Sequence, residues 1–576
     1  MGKITSIGLC LVLMFLSCKP DENKMSSKLE GIIKNVQDHE GYDELEFPLG
    51  VFTEIYYQKE ADFAADKLRE LNELNPEFLK ETELISYELL QFVLQNRIDF
   101  YAFDMYLNPI LSDAGFHSNL VYMVRPLVNY QQTKAYLNKL NDIPRFVDEH
   151  FVILQKGLEK GISQPKIIFK GYESTYDSHI IADVEESFFY TPFKNLPDDL
   201  TDSQKDSVLA VATENIEQNV IPQFKRIKEF FETSYLPNTR SSIGISETPN
   251  GDAFYQNRIN FYTTSKQYTA DQIHEIGKKE VKRIKEEMKA IIAALEFEGS
   301  FADFLQFLRT DEQFYAKTPE QLLMIARDMA KRADEKLPKY FITLPRKPYG
   351  VAPVPDAIAP KYTGGRYLGT ESNSTDPGYY WVNTYDLPSR TLYTLPALTV
   401  HEAVPGHHLQ GSLNNELGDS IPTFRKNLYL SAFGEGWGLY SEFLAGEMGM
   451  YTTPYERFGQ LTYEMWRACR LVVDTGIHAM NWTREEVVTY MSENTALSLH
   501  EIETETDRYI SWPGQALSYK IGELKIRELR KRASEALGAD FDIREFHEVI
   551  LEQGTVSLPI LERRINHYIE KKSNGT

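Results

Sequence analysis

Long stretches of this chain repeat apolar residues every three or four positions, the pattern of helices that bury one face. Residues 60–110 do so, in Ala65-Asp66-Lys67-Leu68-Arg69-Glu70-Leu71 and again in Tyr87–Asn96. Residues 132–162, 201–235, 318–337 and 521–538 read in the same way, as does Tyr463–Val473. Residues 270–298 alternate Lys and Glu at helical spacings from Gln272 to Leu295, which predicts a helix with a solvated, charged face. The pattern changes over 339–395, rich in Pro, Gly, Tyr and Thr. There the alternating segments Tyr379–Thr384 and Arg390–Leu395 predict short strands. No internal repeat or low-complexity tract is present. The expected fold is mainly α: one large helical body over residues 29–576, with a cleft and a small sheet near the helix that begins after residue 395.

The N-terminus reads differently. Met1-Gly2-Lys3 is a short basic start, and Ile4 to Leu16 is an apolar run too short for an ordinary membrane span. It ends in Phe15-Leu16-Ser17-Cys18, the form of a bacterial lipobox whose cysteine becomes the lipidated first residue. Residues 1–18 are therefore expected to be a lipoprotein signal peptide and 19–28 a polar tether. The expected location is the cell envelope outside the cytoplasm, on its periplasmic or surface face, with the lipid anchor as the only membrane contact. Of three cysteines, Cys10 lies in the leader and Cys18 at the anchor, so Cys469 is alone and no intramolecular disulfide or cysteine metal cage can form. A net charge of −22 argues against a nucleic-acid partner, which needs a basic footprint. Hydrophobic content of 42% is ample for a large core.

The chemistry concentrates in His401-Glu402-Ala403-Val404-Pro405-Gly406-His407-His408, with Gly434-Glu435-Gly436 downstream. Three of the chain's 12 histidines fall in these eight residues. Histidine followed by glutamate, a second histidine close behind and a distant glutamate is how a helix-borne hydrolytic zinc site is written. The spacing is not the ordinary one. Two histidines four apart share a helix face, but the fourth position after His401 is Pro405. An unbroken helix would carry His407 roughly 120° off that face and ~9 Å along the axis, and would carry His408 ~10 Å along it, too far to share one ion. Pro405 and Gly406 are therefore expected to form a kink or bulge that returns the second histidine toward His401. His407 is the first choice for that ligand, and His408 the alternative, or a substrate contact. Glu435 is expected to be the third ligand, with Glu442 as its competitor.

The stretch His401–Gln410 with Glu435-Gly436-Trp437-Gly438-Leu439-Tyr440 resembles a large bacterial family called domain of unknown function 885. Pro377-Gly378-Tyr379-Tyr380, Asn383-Thr384, Asp474-Thr475-Gly476-Ile477-His478, Arg508-Tyr509-Ile510 and Pro513–Lys520 fit the same family. The match runs from about residue 30 to near the C-terminus. The family itself resembles helical zinc peptidases of the gluzincin type, which implies a zincin-like body and a metal-dependent peptidase holding one Zn2+.

In that reading His401, His407 and Glu435 hold zinc, which keeps a position open for water. Glu402 is the general base that takes the water's proton and passes it to the leaving amine. Tyr509 and Tyr519, carried over from the resemblance, are candidates for stabilising the oxyanion. Arg508 is a candidate for binding a substrate carboxylate, or forms a structural salt bridge. His478, four residues after Asp474, is an oriented site histidine or a satisfied buried one. The expected partner is a peptide substrate. A metallohydrolase acting on another amide or an ester, and a non-catalytic peptide-binding lipoprotein, remain open beside it.

Overall fold

The computed structural model describes residues 19–356, 359, 362–370 and 374–575. The expected signal peptide, residues 1–18, lies outside them. The architecture is mainly α-helical with one three-stranded sheet. Residues 19–28, expected as a tether, form the first turns of a helix, Lys19–Gln37. Its Leu29, Ile32, Ile33 and Val36 recur at helical spacing and are buried with Ala64, Leu71, Leu90 and Leu94 from the helices Glu54–Asn72 and Glu81–Ala102. Among the described residues no helix is long and apolar enough to cross a membrane.

The charged run at 270–298 folds as the helix Ala270–Ala294, opened by a Thr269/Gln272 capping box. It lies against the helix Pro454–Ala479. At Gly277 an added Cβ would stand 2.8 Å from Leu471 Cβ, so the absence of a side chain allows the close approach. One part of its charged face turns inward rather than to solvent. Glu280 and Arg283 join Glu464, Lys520, Glu523 and Arg527 in an ion-pair network. Lys520, with no exposed side chain, donates to Glu464 at 2.7 Å and to Glu523 at 2.8 Å. A buried ammonium is tolerated only when partnered in this way.

The sheet has the order β1-β3-β2, with β1 (Tyr349–Pro353) parallel to β3 (Gly378–Val382) and β2 (Gly365–Leu368) antiparallel to it. The expected strand at Tyr379–Thr384 coincides with β3. The one expected at Arg390–Leu395 does not form: Thr391 makes a single isolated bridge to Tyr315, and Leu395 already opens a helix. Pro396 explains this, because proline favours the first turn of a helix and donates nothing to a sheet ladder. The helices Leu395–Glu402 and His407–Asn415 run between two apolar clusters. One holds Val400, Val404, Leu409, Phe433, Trp437 and Leu444. The other holds Tyr380, Val382, Leu395 and Ala403. Both helices contact the helix Ser431–Glu447, which carries Glu435 and packs on Ser518–Leu537.

Candidate metal centre

The helix that bears His401 ends at Glu402, and a new one starts at His407. Between them Ala403 (φ −90°, ψ −108°) and Gly406 (φ −76°, ψ −130°) leave helical geometry, and the Val404-Pro405 bond is cis. The turn closes through Gly406 N–H donating to Val400 O (2.9 Å) and His408 N–H donating to Ala403 O (3.1 Å). A Cβ at Gly406 would lie 1.8 Å from His401 O, so only glycine fits where the chain folds back. Trp437 Nε1 donates to Pro405 O at 2.8 Å and fastens the turn to the Glu435 helix.

The turn cancels the six-residue offset. One donor atom from each of His401, His407 and Glu435 lies within 4.8 Å of the others. Glu435 Oε2 is 3.6 Å from His401 Nε2 and 3.4 Å from His407 Nε2. These separations are long for an N–H···O bond. They match the roughly 3.4 Å edge between donors of a tetrahedral site with bonds of about 2.0–2.1 Å. The donor set, two imidazoles and one carboxylate, suits a borderline divalent cation such as zinc.

The surroundings orient the donors. His401 Nδ1 contacts Oε1 of the buried Glu442 at 2.8 Å, which leaves Nε2 facing Glu435 and His407. Burial opposes charge on His401, but Glu435 and Glu442 outweigh it and hold its pKa up at about 10. Burial likewise opposes charge on Glu435, and the two imidazoles outweigh it, so its carboxyl sits well below the usual range. At Gly438 an added Cβ would stand 2.6 Å from His401 Cε1, so this glycine makes room for the ring. Glu402, nearly buried, accepts a hydrogen bond from Tyr367 N–H of β2 at 2.7 Å.

The model of a bacterial family described as protein of unknown function, DUF885, matches residues 40–565. The chain belongs to this family. No curated protein matches it. Two solved structures are similar to the DUF885 protein over nearly its whole length. One, from Colwellia psychrerythraea and provisionally named a lipoprotein, is 27% identical with a TM-score of 0.84, covering 96% of this chain and 100% of the other. The second, from Shewanella oneidensis, is provisionally named a lipoprotein of unknown function. It is 18% identical with a TM-score of 0.69, covering 94% and 98%, and shows the fold alone.

The remaining candidate residues of the DUF885 protein separate in space. His408 is not in the cluster: its ring is buried beside Tyr349, and Nδ1 meets Tyr367 Oη (3.0 Å) and Ser412 Oγ (3.2 Å). Tyr519 is half-buried at the start of its helix, and burial and the nearby Glu435 charge raise its pKa. Tyr509 is buried, and its hydroxyl accepts from Trp466 Nε1 at 2.8 Å. Arg508 reaches Glu505 at 3.4 Å. His478 is fully buried with both nitrogens engaged. Nδ1 accepts from Ile245 N–H (3.2 Å) and Nε2–H donates to Tyr509 O (2.9 Å), and burial lowers its pKa to about 3. Cys469 is free and buried.

Tyr429 was not visible from the sequence. The residue is 55% exposed, yet its hydroxyl donates to Glu435 Oε1 at 2.8 Å, which leaves Oε2 for the histidines. Its ring lies where a Cβ at Gly434 would be, 2.5 Å from that position. The one hint in the chain was the glycine before Glu435.

Proposed function

We propose that the DUF885 protein is a metal-dependent peptidase of the cell envelope, with His401, His407 and Glu435 holding a single zinc ion. The observation that carries this reading is the convergence of these three donors within 4.8 Å across a broken helix. When bound, the ion supplies an acidified water and polarises the scissile carbonyl.

The chain's own residues do the rest. Glu402 follows His401 directly, and the Tyr367 amide holds one of its oxygens. Its second oxygen takes the proton of the attacking water and delivers it to the leaving amine. Tyr519 lies close enough to Glu435 to feel its charge and is the donor assigned to the developing oxyanion. β2 lies at an edge of the sheet, where an extended peptide can add as a further strand. The envelope location is supported by the Phe15-Leu16-Ser17-Cys18 sequence and by the Colwellia psychrerythraea relative provisionally named a lipoprotein.

Metal analysis of the purified protein with cleavage of a mixed peptide library tests the reading. The expected result is one zinc per chain and cleavage abolished by a chelator. Glu402→Gln is expected to abolish turnover while zinc stays bound. Bound zinc without peptide cleavage would point instead to a hydrolase of another amide or an ester. Absence of stoichiometric metal would leave a peptide-binding lipoprotein.

A further inference from the structure

The helix Pro454–Ala479 carries Arg467 and Arg470 one turn apart, both directed at Tyr519. Their guanidinium carbons stand 5.9 and 4.2 Å from the centre of its ring. Arg467 is 8% exposed and Arg470 2%. Other buried arginines are spent more fully on partners, although Arg425 too has a buried Nε without one. Arg564 pairs with Glu81 and Glu552, and Arg425 makes four hydrogen bonds to Thr82, Ser86 and Gln553.

Arg467 and Arg470 are not spent in this way. Arg467 reaches one backbone oxygen, that of Tyr463, at 3.5 Å. Arg470 makes one bond, to Gln515 Oε1 at 2.9 Å. Among the described residues neither forms an ion pair, and Nε of each is buried without a hydrogen-bond partner. The neighbouring Arg508, on the helix Leu499–Ser511, likewise has a buried, unpartnered Nε. The acidic groups nearby are Glu501, Glu505 and Asp474. Glu505 meets Arg508 through Oε1 at 3.4 Å while its Oε2 is buried without a hydrogen-bond partner, and Asp474 accepts from Tyr255 and Gly514. Glu501 is solvent-exposed and lies close enough to Arg467 to feel its charge.

We propose that Arg467 and Arg470, with Arg508 beside them, form a subsite that binds a carboxylate of the substrate. The inference rests on the peptidase reading and adds a substrate class to it. A guanidinium is a planar fork matched to a carboxylate, and buried guanidinium groups with unused donors are costly until an anion meets them. Both guanidinium groups lie over Trp466, Arg467 at 4.2 Å and Arg470 at 5.9 Å from the ring centre, which restrains them. Tyr519 lies beside the arginines and close enough to Glu435 to feel its charge, so the carboxylate held there would belong to the molecule whose amide is cleaved. That carboxylate comes either from the C-terminus of a peptide or from an acidic side chain near the cleaved bond.

The test uses the zinc-loaded protein and peptides of one sequence: C-terminal acid, C-terminal amide, and versions with Glu or Gln near the end. The carboxylate-bearing forms are expected to show kcat/KM on the order of 10–100-fold higher, mainly through KM. A preference for acid over amide identifies the terminus, and a preference for Glu over Gln identifies the side chain. In Arg467→Met and Arg470→Met the ratio is expected to fall toward one. Calorimetric binding of the same peptides to Glu402→Gln supplies a second readout that needs no turnover.

Wild-type protein that treats all these peptides alike overturns the proposal. So does an equal loss on acid and amide in the arginine variants, since the arginines would then only seat Tyr519. Carboxylate-selective binding without any cleavage retains the subsite and removes the peptidase reading. Unselective cleavage does the reverse.

Discussion

His401 Nδ1 and Glu442 Oε1 lie 2.8 Å apart in the interior, between the helix that ends at Glu402 and the helix that carries Glu435. Among the described residues Glu442 makes no other side-chain hydrogen bond, and its Oε2 is buried without a partner. Its carboxylate serves the imidazole: it fixes the tautomer that turns Nε2 toward Glu435 and raises the basicity of that nitrogen. Glu442→Gln is expected to weaken zinc affinity roughly 10–100-fold with the fold intact. A competition titration against a chromogenic chelator measures this, and unchanged affinity would sink the assignment.

Glycine substitutions separate the site from the scaffold. Gly438→Ala adds helix propensity worth about 1 kcal/mol, yet its Cβ would intrude to 2.6 Å from His401 Cε1. Zinc stoichiometry is expected to collapse while circular dichroism still reports a folded helical protein. Gly522→Ala acts on the scaffold, because its Cβ would meet Ala432 O at 1.9 Å. Forcing these helices apart is expected to cost about 1–3 kcal/mol, read as a lower urea midpoint. A midpoint equal to wild type would show that the helices can part freely.

The two tyrosines carried over from the family resemblance are expected to behave differently. Tyr519 stands near Glu435, whereas the Tyr509 hydroxyl is taken by Trp466. Tyr519→Phe is expected to lower kcat by about 10²–10³-fold with little change in stability. Tyr509→Phe removes a buried partner of Trp466 and is expected to cost stability, about 1–3 kcal/mol. Steady-state kinetics and denaturant melts on both variants check this. Interchanged effects would reassign the donor.

Acid should unfold the protein through histidines remote from the cluster. Burial lowers the pKa of His117, His478 and His547 to about 3 and that of His150 to about 4. In the unfolded chain each titrates near 6.5. The stability that each contributes as a neutral group is complete above pH 6.5 and is lost as pH falls toward 3–4. At pH 5 each has given up on the order of 1–2 kcal/mol. Urea midpoints measured from pH 7.5 to 5 are expected to decline steadily, and a flat profile would contradict buried neutral imidazoles.

Much of the site was legible in His401–His408, because proline and glycine can be read as a helix break and counting residues shows where the break must return the chain. Other contacts had no local signature. Glu442 read as a rival of Glu435, and only the packing of two helices sets it behind His401 instead. Tyr429 belongs to the segment ahead of the Glu435 helix, and its contact depends on the empty space at Gly434. Arg467 and Arg470 lie in a run that reads as ordinary amphipathic helix, and an arginine's missing partners cannot be counted along a sequence. In the fold, long helices followed from their periodicity. Arg390–Leu395 was misread as a strand because alternation over six residues does not weigh the proline that follows.

The crossing of the helices Ser431–Glu447 and Ser518–Leu537 brings Gly436 and Gly522 backbone to backbone, with an added Cβ on the first only 2.6 Å from the Cα of the second. Nothing compressible separates them, so the two rods share a fulcrum. Glu435 and Tyr519 sit on opposite rods close to this contact, so bare main chain, and not side chains able to yield, sets how far apart they stand.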